Sequence, residues 1–277
     1  MKILLFGSSG QLGQALTQTL NDSHQLYLSL RTDCDLTNIS QIEMQIDRVK
    51  PDLIINAAAY TNVDEAEINY DEVFAINAKA PEIMSKKASL LDIPLIHFST
   101  DYVFDGLKEG AYTEIDLINP QSSYAKTKCL GEEAVRSHLK HHLIIRTSSL
   151  YGNCGINFVN TIIDKLKNNK SFDVVDDCSI SPTPTSFVAK SITKILPFLK
   201  NENFGTYHLT TRGFTSPYNC ASFIEKKLIE MGVIGFLDFE RMQPIKSSQY
   251  KSEVKRPMHA HLDCTKIKNT LDRKSVV

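Results

Sequence analysis

The sequence predicts an α/β protein built on a doubly wound, Rossmann-like parallel sheet, followed by a smaller C-terminal domain. Three observations predict it. Short apolar runs alternate with stretches of helical periodicity from residue 3 to residue 147, the rhythm of a parallel sheet with crossover helices. A glycine-rich turn, Gly7 to Gly13, stands between the first apolar run and the first helical stretch. The regular alternation fades after Gly152, which marks a change of organisation.

Composition narrows the class of protein. At 277 residues the chain is longer than one typical domain and can bury a large core. A formal net charge of −1 and a pI near 6.7 leave no basic field for nucleic acid or an anionic membrane surface, so neither is expected as a partner. The opening apolar run is too short for a secretory signal, and no stretch approaches the roughly 20 apolar residues that span a bilayer. A cytoplasmic protein is therefore expected. Cys34, Cys129, Cys154, Cys178, Cys220 and Cys264 are scattered without a C-x-x-C pair. That argues for free thiols, several of them buried, and against a disulfide framework or structural zinc. His259 and His261 alternate, but without a third ligand they are not read as a metal site. No segment specifies an oligomeric state; a homodimer is the expectation carried forward.

The elements follow in order. Ile3–Phe6 reads as a buried strand, Gly7-Ser-Ser-Gly10-Gln11-Leu12-Gly13 as the turn, and Gln14–Leu20 as the first helix. Glycines let the backbone approach a pyrophosphate, and the helix N-terminus offers it free N–H groups and a positive dipole end. Gln25–Leu30 is the second strand. At its end Arg31 suits the 2′-phosphate of NADPH, whereas Asp33 stands where an acid binds the 2′-hydroxyl of NADH. Both cofactors stay open, with Arg31 favouring NADPH. Asp35 and Leu36 fall near the expected adenine. Ser40–Val49 is helical and Pro51 ends it. Asp52–Asn56 is the third strand, and its exit loop begins with Ala57, Ala58 and Ala59, small enough to admit a flat cofactor group. Asp64 is placed to cap the next helix. Asp71–Leu91 reads as one long helix, with Asn77 an isolated polar residue that either lines the cofactor or satisfies backbone groups. Ile93–Phe98 is the fourth strand.

The helix over Gln121–Ser137 carries Tyr124 and Lys128, which share one face at a spacing of four. An adjacent ammonium stabilises a phenolate and draws its pKa toward the range where proton transfer is efficient. Thr100, at the exit of the fourth strand, can orient a carbonyl for that proton, while a nicotinamide supplies the hydride. Ligands of such a sheet gather beyond the C-terminal strand ends, which puts Gly7–Gly13, Ala57–Tyr60 and Ser99–Asp101 on one rim. His142–Arg146 is the fifth strand. Beyond Gly152, Asn157–Lys167 is amphipathic, Phe172–Val175 a short strand, Asp177–Thr185 a loop, Ser186–Leu199 a helix, Thr206–Thr210 a strand, Ser216–Met231 a helix, and Gln243–Val277 a polar tail. Residues 1–152 thus form the expected dinucleotide-binding domain, to which the chain returns around 186–210. The part from 153 to 277 is mainly a smaller substrate-binding domain.

Several strings resemble one family. They are Ile3–Gly7 with Gly10–Gly13; Asn56–Thr61 with Val63-Asp64 and Ala66-Glu67; Ser99-Thr-Asp-Tyr-Val-Phe-Asp-Gly106; Tyr124–Lys128 with Gly131-Glu132; Arg146-Thr147; and Gly205–Leu209. Together they resemble the dTDP-4-dehydrorhamnose reductase family of the extended short-chain dehydrogenase/reductase superfamily. The resemblance implies Thr100, Tyr124 and Lys128 as the catalytic set. It implies Val63, Asp101 and Tyr102 beside the sugar, and Arg256 against the diphosphate. The cofactor site would comprise Gly7, Gly10, Gln11, Leu12, Gly13, Arg31, Asp35, Leu36, Ala57, Ala58, Ala59 and Asn77, with Tyr124 and Lys128. The implied substrate is a dTDP-4-keto-6-deoxy-L-sugar and the product dTDP-L-rhamnose, a precursor of surface polysaccharide. Four features depart from the family pattern, all on the substrate side. Ser149 stands where the family commonly has tryptophan. Asp176–Thr183 lacks the usual Gln and Gly, Ala260 replaces a serine in the run from Arg256 to Leu262, and the chain stops soon after Leu271. Two other readings are therefore carried: a related reductase of another nucleotide sugar, and a non-catalytic dinucleotide-binding regulatory subunit.

Overall fold

A computed structural model of the chain describes all residues except 169, 200–202, 236–241, 253 and 272–277. At its centre is a parallel sheet of six strands in the order β2-β1-β3-β4-β5-β9. These are β1 (Lys2–Phe6), β2 (Gln25–Ser29), β3 (Leu53–Asn56), β4 (Leu95–Thr100), β5 (His142–Thr147) and β9 (Gly205–His208). The strand runs are continuously apolar because both faces are covered. Alternate residues feed two cores. Ile3, Leu5, Ile55, Ile96, Phe98 and Ile145 join Leu12, Leu16 and Leu20 of α1 (Gln11–Leu20) and Val188, Ile192 and Ile195 of α7 (Thr185–Ile195). Leu4, Phe6, Ile54, Leu95 and Ile144 face the other way, onto Ile42 and Ile46 of α2 (Ile39–Val49), Met84 and Ala88 of α4 (Ala80–Leu91) and Val135 of α5 (Ser123–His138). Each fully buried aliphatic side chain contributes roughly 1.5–3 kcal/mol.

Helix α2 ends at Lys50 in a left-handed conformation (φ 48°), just before Pro51. The expected single helix over 71–91 is instead three pieces: α3 (Tyr70–Phe74), a π-helical segment Ala75–Lys79, and α4. The cause is tertiary. Asn77 in the wide turn accepts from the Tyr60 backbone N–H at 2.9 Å and donates to the Tyr60 carbonyl at 3.1 Å. Helix α5 also crosses here so closely that a Cβ on Gly131 would stand 2.2 Å from the Asn77 carbonyl oxygen. Asp64 does not cap the turn after it with its side chain, which is engaged elsewhere.

Two short strands, β6 (Leu150–Tyr151) and β8 (Thr183–Pro184), pair with each other. A further small core joins α6 (Phe158–Lys167), α8 (Pro217–Glu230), β7 (Phe172–Val175) and β10 (Met242–Ile245) through Ile162, Leu166, Phe172, Val174, Ala221 and Met242. Strand β10 and helix α9 (Thr265–Leu271) give structure to what reads as a polar tail. Among the described residues no helix is long and apolar enough to cross a membrane, and all six cysteines are free thiols.

Candidate active site

The turn after β1 is shaped by the absence of side chains. Gly7 has φ 76°, and a Cβ there would lie 2.5 Å from the Ala58 nitrogen; one on Gly13 would lie 2.1 Å from the Gly7 carbonyl oxygen. Gly10, which donates to the Gly7 carbonyl at 3.0 Å, precedes α1 without a side-chain cap, so the N–H groups of the first turn stay available to a ligand. Beside this turn is a cavity of about 230 Å3 lined by Gly7, Gly10, Arg31, Asp35, Leu36, Ala57, Ala58 and Ala59. Eight expected cofactor positions thus surround one space, whose glycine floor fits a dinucleotide. Arg31 lines it and Asp33 does not. The Arg31 guanidinium is 79 % exposed and meets Glu72 at 3.3 Å.

Other expected cofactor residues are placed differently. Leu12 is in the core. Gln11 ties the turn to the loop before α6, donating to the Ile156 carbonyl at 3.3 Å and accepting from Asn157 at 2.8 Å. Asn77 holds the Tyr60 backbone, the second of its two readings.

The strand exits align: Thr100 ends β4 opposite Thr147 of β5. The Thr100 side chain caps the short 3-10 turn Asp101–Val103, accepting from the Tyr102 N–H at 3.1 Å. Helix α5 is capped by Ser122, which accepts from the Ala125 N–H at 3.2 Å, so Tyr124 stands in its first turn. Tyr124 faces the Thr100 hydroxyl, and burial pushes its phenol up to about 12. Lys128 is 2 % exposed and donates to the Phe98 carbonyl at 2.7 Å. Burial lowers it to about 8, the Glu132 carboxylate opposing. The expected depression of Tyr124 by Lys128 is not found in this state, because desolvation dominates the phenol and the ammonium is held on a backbone carbonyl.

Among the residues expected beside the sugar, Tyr102 packs edge-on to Tyr124, with ring centroids 6.0 Å apart. Burial and the Asp101 carboxylate push the Tyr102 phenol up, while Arg256 opposes. Asp101 is buried and accepts from Ser148 at 2.6 Å and Thr100 at 3.1 Å. Val63 is half-buried in the loop after β3. Its neighbour Asp64 accepts from Ser252 at 2.6 Å and from Arg256 at 2.7 Å. Arg256, expected at a diphosphate, here bridges to that loop and stacks over Tyr250, 5.5 Å from the ring centroid. Ser149 is exposed with φ 45°, a left-handed conformation uncommon outside glycine, Asn and Asp. The Ser179 hydroxyl lies 2.8 Å from His259 Nδ1 and 2.6 Å from His261 Nε2. Among the described residues no group of three or more metal-ligating side chains gathers.

Sequence reasoning gave no role to the ion pair under the site. Glu132 is fully buried and receives two bonds from Arg146, at 2.9 and 2.7 Å, and one from Arg136 at 2.9 Å. Burial alone would raise its carboxyl; the two arginines outweigh that and hold it at about 2. His208 completes the layer. Burial, then the Arg146 charge, lowers it to about 3, so it is neutral. With Arg146 able only to donate, its Nε2 accepts and its Nδ1 donates to the Tyr112 carbonyl at 3.1 Å. The available signal was the four-residue repeat Tyr124, Lys128, Glu132 down one helix face.

A doubly wound sheet with a glycine turn after its first strand, and a strand-end Thr facing a helical Tyr with a buried Lys one turn further on, defines the short-chain dehydrogenase/reductase class. Within that class the chain belongs to the family described as RmlD substrate binding domain, whose model matches residues 1–276. It is 33 % identical over 271 residues to a dTDP-4-dehydrorhamnose reductase of Aggregatibacter actinomycetemcomitans, covering 96 % of this chain and 92 % of that one. A crystal structure of a dTDP-4-dehydrorhamnose reductase from Clostridium acetobutylicum superposes with a TM-score of 0.89 at 34 % identity, covering 98 % and 92 % of the two chains. Another from Bacillus anthracis, in complex with NADP, gives 0.87 at 30 % identity, with coverage of 97 % and 92 %.

Proposed function

We propose that this chain reduces the 4-keto group of a dTDP-6-deoxy-L-sugar, dTDP-4-dehydro-L-rhamnose to dTDP-L-rhamnose, with NADPH as the preferred cofactor over NADH. The relatives' activity and the NADP-bound neighbour support this. The observation that carries it is Tyr124 set against Thr100 at the end of β4, with the buried Lys128 one helical turn on and bonded to the Phe98 carbonyl of the same strand. They lie on the same sheet rim as the glycine-lined cavity. Residues 1–152, with 186–210, serve the dinucleotide in this reading, and the rest of the chain mainly serves the sugar. The reading carries with it a cytoplasmic location and a homodimer.

The residues divide the work. The glycine turn and α1 hold a pyrophosphate, Ala57–Ala59 leave room for flat groups, and Arg31 meets a 2′-phosphate. When bound, the nicotinamide supplies a hydride to the carbonyl carbon. Thr100 orients the carbonyl, and Tyr124 gives its proton to the oxygen. Lys128 keeps a positive charge below the site, which favours the phenolate left behind. Arg256, released from Asp64, suits the diphosphate oxygens because its fork matches them. A related reductase of other specificity is the second reading, favoured by the exposed Ser149 at a place where the family commonly has tryptophan.

NADPH oxidation against a panel of dTDP-, GDP- and UDP-linked 4-keto sugars tests the function. Turnover is expected with the dTDP-linked 6-deoxy sugar, and none on any member would overturn the reading. Tyr124→Phe should lower kcat by about 10²-fold or more while leaving the NADPH dissociation constant in place. Wild-type kcat in that variant would remove Tyr124 as proton donor.

A further inference from the structure

Helix α5 is held from outside by one neighbouring stretch, residues 60–77, at two places. The first hold is at the helix start. Glu67 Oε1 accepts from the Ser123 N–H at 2.7 Å, and Glu67 Oε2 accepts from the Ser123 hydroxyl at 2.6 Å. The second is one turn further on. Asn77 donates to the Thr127 hydroxyl at 3.4 Å, and a Cβ on Gly131 would stand 2.2 Å from the Asn77 carbonyl oxygen. Tyr124 directly follows Ser123, and Lys128 directly follows Thr127.

Glu67 reaches α5 from a fixed base. It ends the 3-10 turn Glu65–Glu67, whose Ala66 is fully buried. The Ala66 N–H donates to the Asn62 carbonyl at 3.0 Å, and the Tyr60 hydroxyl donates to Glu65 at 2.9 Å. Tyr60 is in turn held by Asn77 through its backbone. Asp64, just before the turn, accepts from Ser252 and Arg256. The carboxylate therefore projects from a segment that is itself tied down.

The two holds differ because the turns of a helix differ. Backbone N–H groups in a first turn have no partner inside the helix, and helix ends fray. Ser122 takes one of these groups, that of Ala125, and Glu67 takes another, that of Ser123. A carboxylate there also meets the positive end of the helix dipole. Lys128 lies in the second turn, is buried, and is fixed to strand β4 through the Phe98 carbonyl. Opening of the first turn would displace Tyr124 and leave Lys128 in place.

We propose that Glu67 is a positioning residue for Tyr124: by closing the first turn of α5 it sets the distance from the phenol to the substrate carbonyl, and with it the rate of proton transfer. This deepens the reductase reading above and rests on it. A misplacement of about 1 Å can cost on the order of 10²-fold in rate. Glu67 is exposed, so water takes over part of its role, and the Ser122 cap remains. The expected loss is therefore smaller, about 10-fold. Glu67 does not line the glycine-floored cavity, so the loss falls on kcat and spares the cofactor.

The test is kcat at saturating NADPH and dTDP-4-keto sugar, joined to backbone hydrogen exchange. Glu67→Ala should lower kcat about 10-fold with the NADPH dissociation constant unchanged. Glu67→Gln keeps both contacts, its carbonyl accepting from the Ser123 N–H and its amide donating to the Ser123 hydroxyl oxygen. It should recover kcat to within about 3-fold of wild type. Wild-type kcat in Glu67→Ala overturns the proposal. So does a Gln variant as slow as the Ala variant, which would assign the effect to charge rather than position. Ser123→Ala removes one of the two bonds, so it should lower kcat about 3-fold beside Glu67 and have no effect in the Glu67→Ala background; equal effects in both backgrounds overturn the proposal. Exchange needs no turnover. By NMR, the Ser123 amide should exchange about 10-fold faster in Glu67→Ala while that of Lys128 is unmoved. A lower urea midpoint with both kcat and Ser123 exchange unchanged would leave Glu67 a purely structural contact. A wild-type protein that reduces no dTDP-4-keto sugar fails the functional reading instead, and the exchange rates then decide whether Glu67 closes the first turn of α5.

Discussion

Beneath the site, Glu132 and Arg146 are 0 % and 4 % exposed and joined by two hydrogen bonds; at its edge, Arg256 and Asp64 are 31 % and 51 % exposed and joined by one. Arg31 and Glu72 are more open still, at 79 % and 39 %. The chemistry of the pairs is the same and their consequences differ. The buried pair has no water to fall back on, so losing one partner leaves an uncompensated charge, a cost of about 3–5 kcal/mol. Exposed pairs contribute roughly 0–1 kcal/mol, so an arginine at the rim can exchange its carboxylate for a phosphate at little loss. Interior charges thus fix the shape of the floor, and rim charges can exchange partners at little cost.

Glu132→Gln is the hardest test of that contrast. It keeps the volume, removes the charge, and strands Arg146 and Arg136. A loss of about 3–5 kcal/mol is expected, read as a lower urea midpoint at unchanged m-value. The pH dependence gives a second check. The Glu132 carboxyl lies at about 2 in the fold against an ordinary 4.5, so its contribution is complete above about 4.5 and is lost as pH falls toward 2. The Gln variant should lack that part of the acid transition. If both proteins have equal midpoints, the floor is no more locked than the rim.

Arg256→Ala should act on binding. Loss of a charge-assisted bond to phosphate is worth about 1.5–3 kcal/mol, so KM for the dTDP-sugar should rise roughly 10- to 100-fold with kcat and urea midpoint little changed. A fall in stability without a change in KM would make Arg256 a strut between Asp64 and the C-terminal part rather than a ligand for the substrate.

How much of this was legible in the sequence follows the same division. Strands such as Ile3–Phe6 and His142–Arg146 are legible because a sheet covered on both faces demands apolar runs. Gly7 and Gly13 are legible because the turn leaves no room for a Cβ. Tyr124 and Lys128 are legible because a helix brings residues four apart together. What the sequence hides depends on contacts between distant segments. The π-helical Ala75–Lys79 forms around bonds from Asn77 to Tyr60. The partners of Asp101, Arg146 and Asp64 lie 47, 14 and 192 positions away in the chain, and no periodicity joins them. Lys128 shows the limit even at a legible position, since spacing puts it on the face of Tyr124 but cannot say that its ammonium bonds to Phe98.

Arg31 offers the smallest expected effect and the sharpest test of the rim. Its guanidinium lines the glycine-floored cavity while paired loosely with Glu72. A 2′-phosphate would replace one exposed carboxylate by a more highly charged anion, so the net gain is the difference between two screened contacts, about 1 kcal/mol or less. Arg31→Ala should therefore weaken NADPH by roughly 5-fold and leave NADH nearly unchanged, measured by fluorescence titration with each cofactor. The gain should also shrink with salt, since both contacts are exposed. Equal weakening of NADPH and NADH would show Arg31 supporting the cavity wall rather than reading the phosphate. An unchanged ratio would remove the preference for NADPH from this residue altogether.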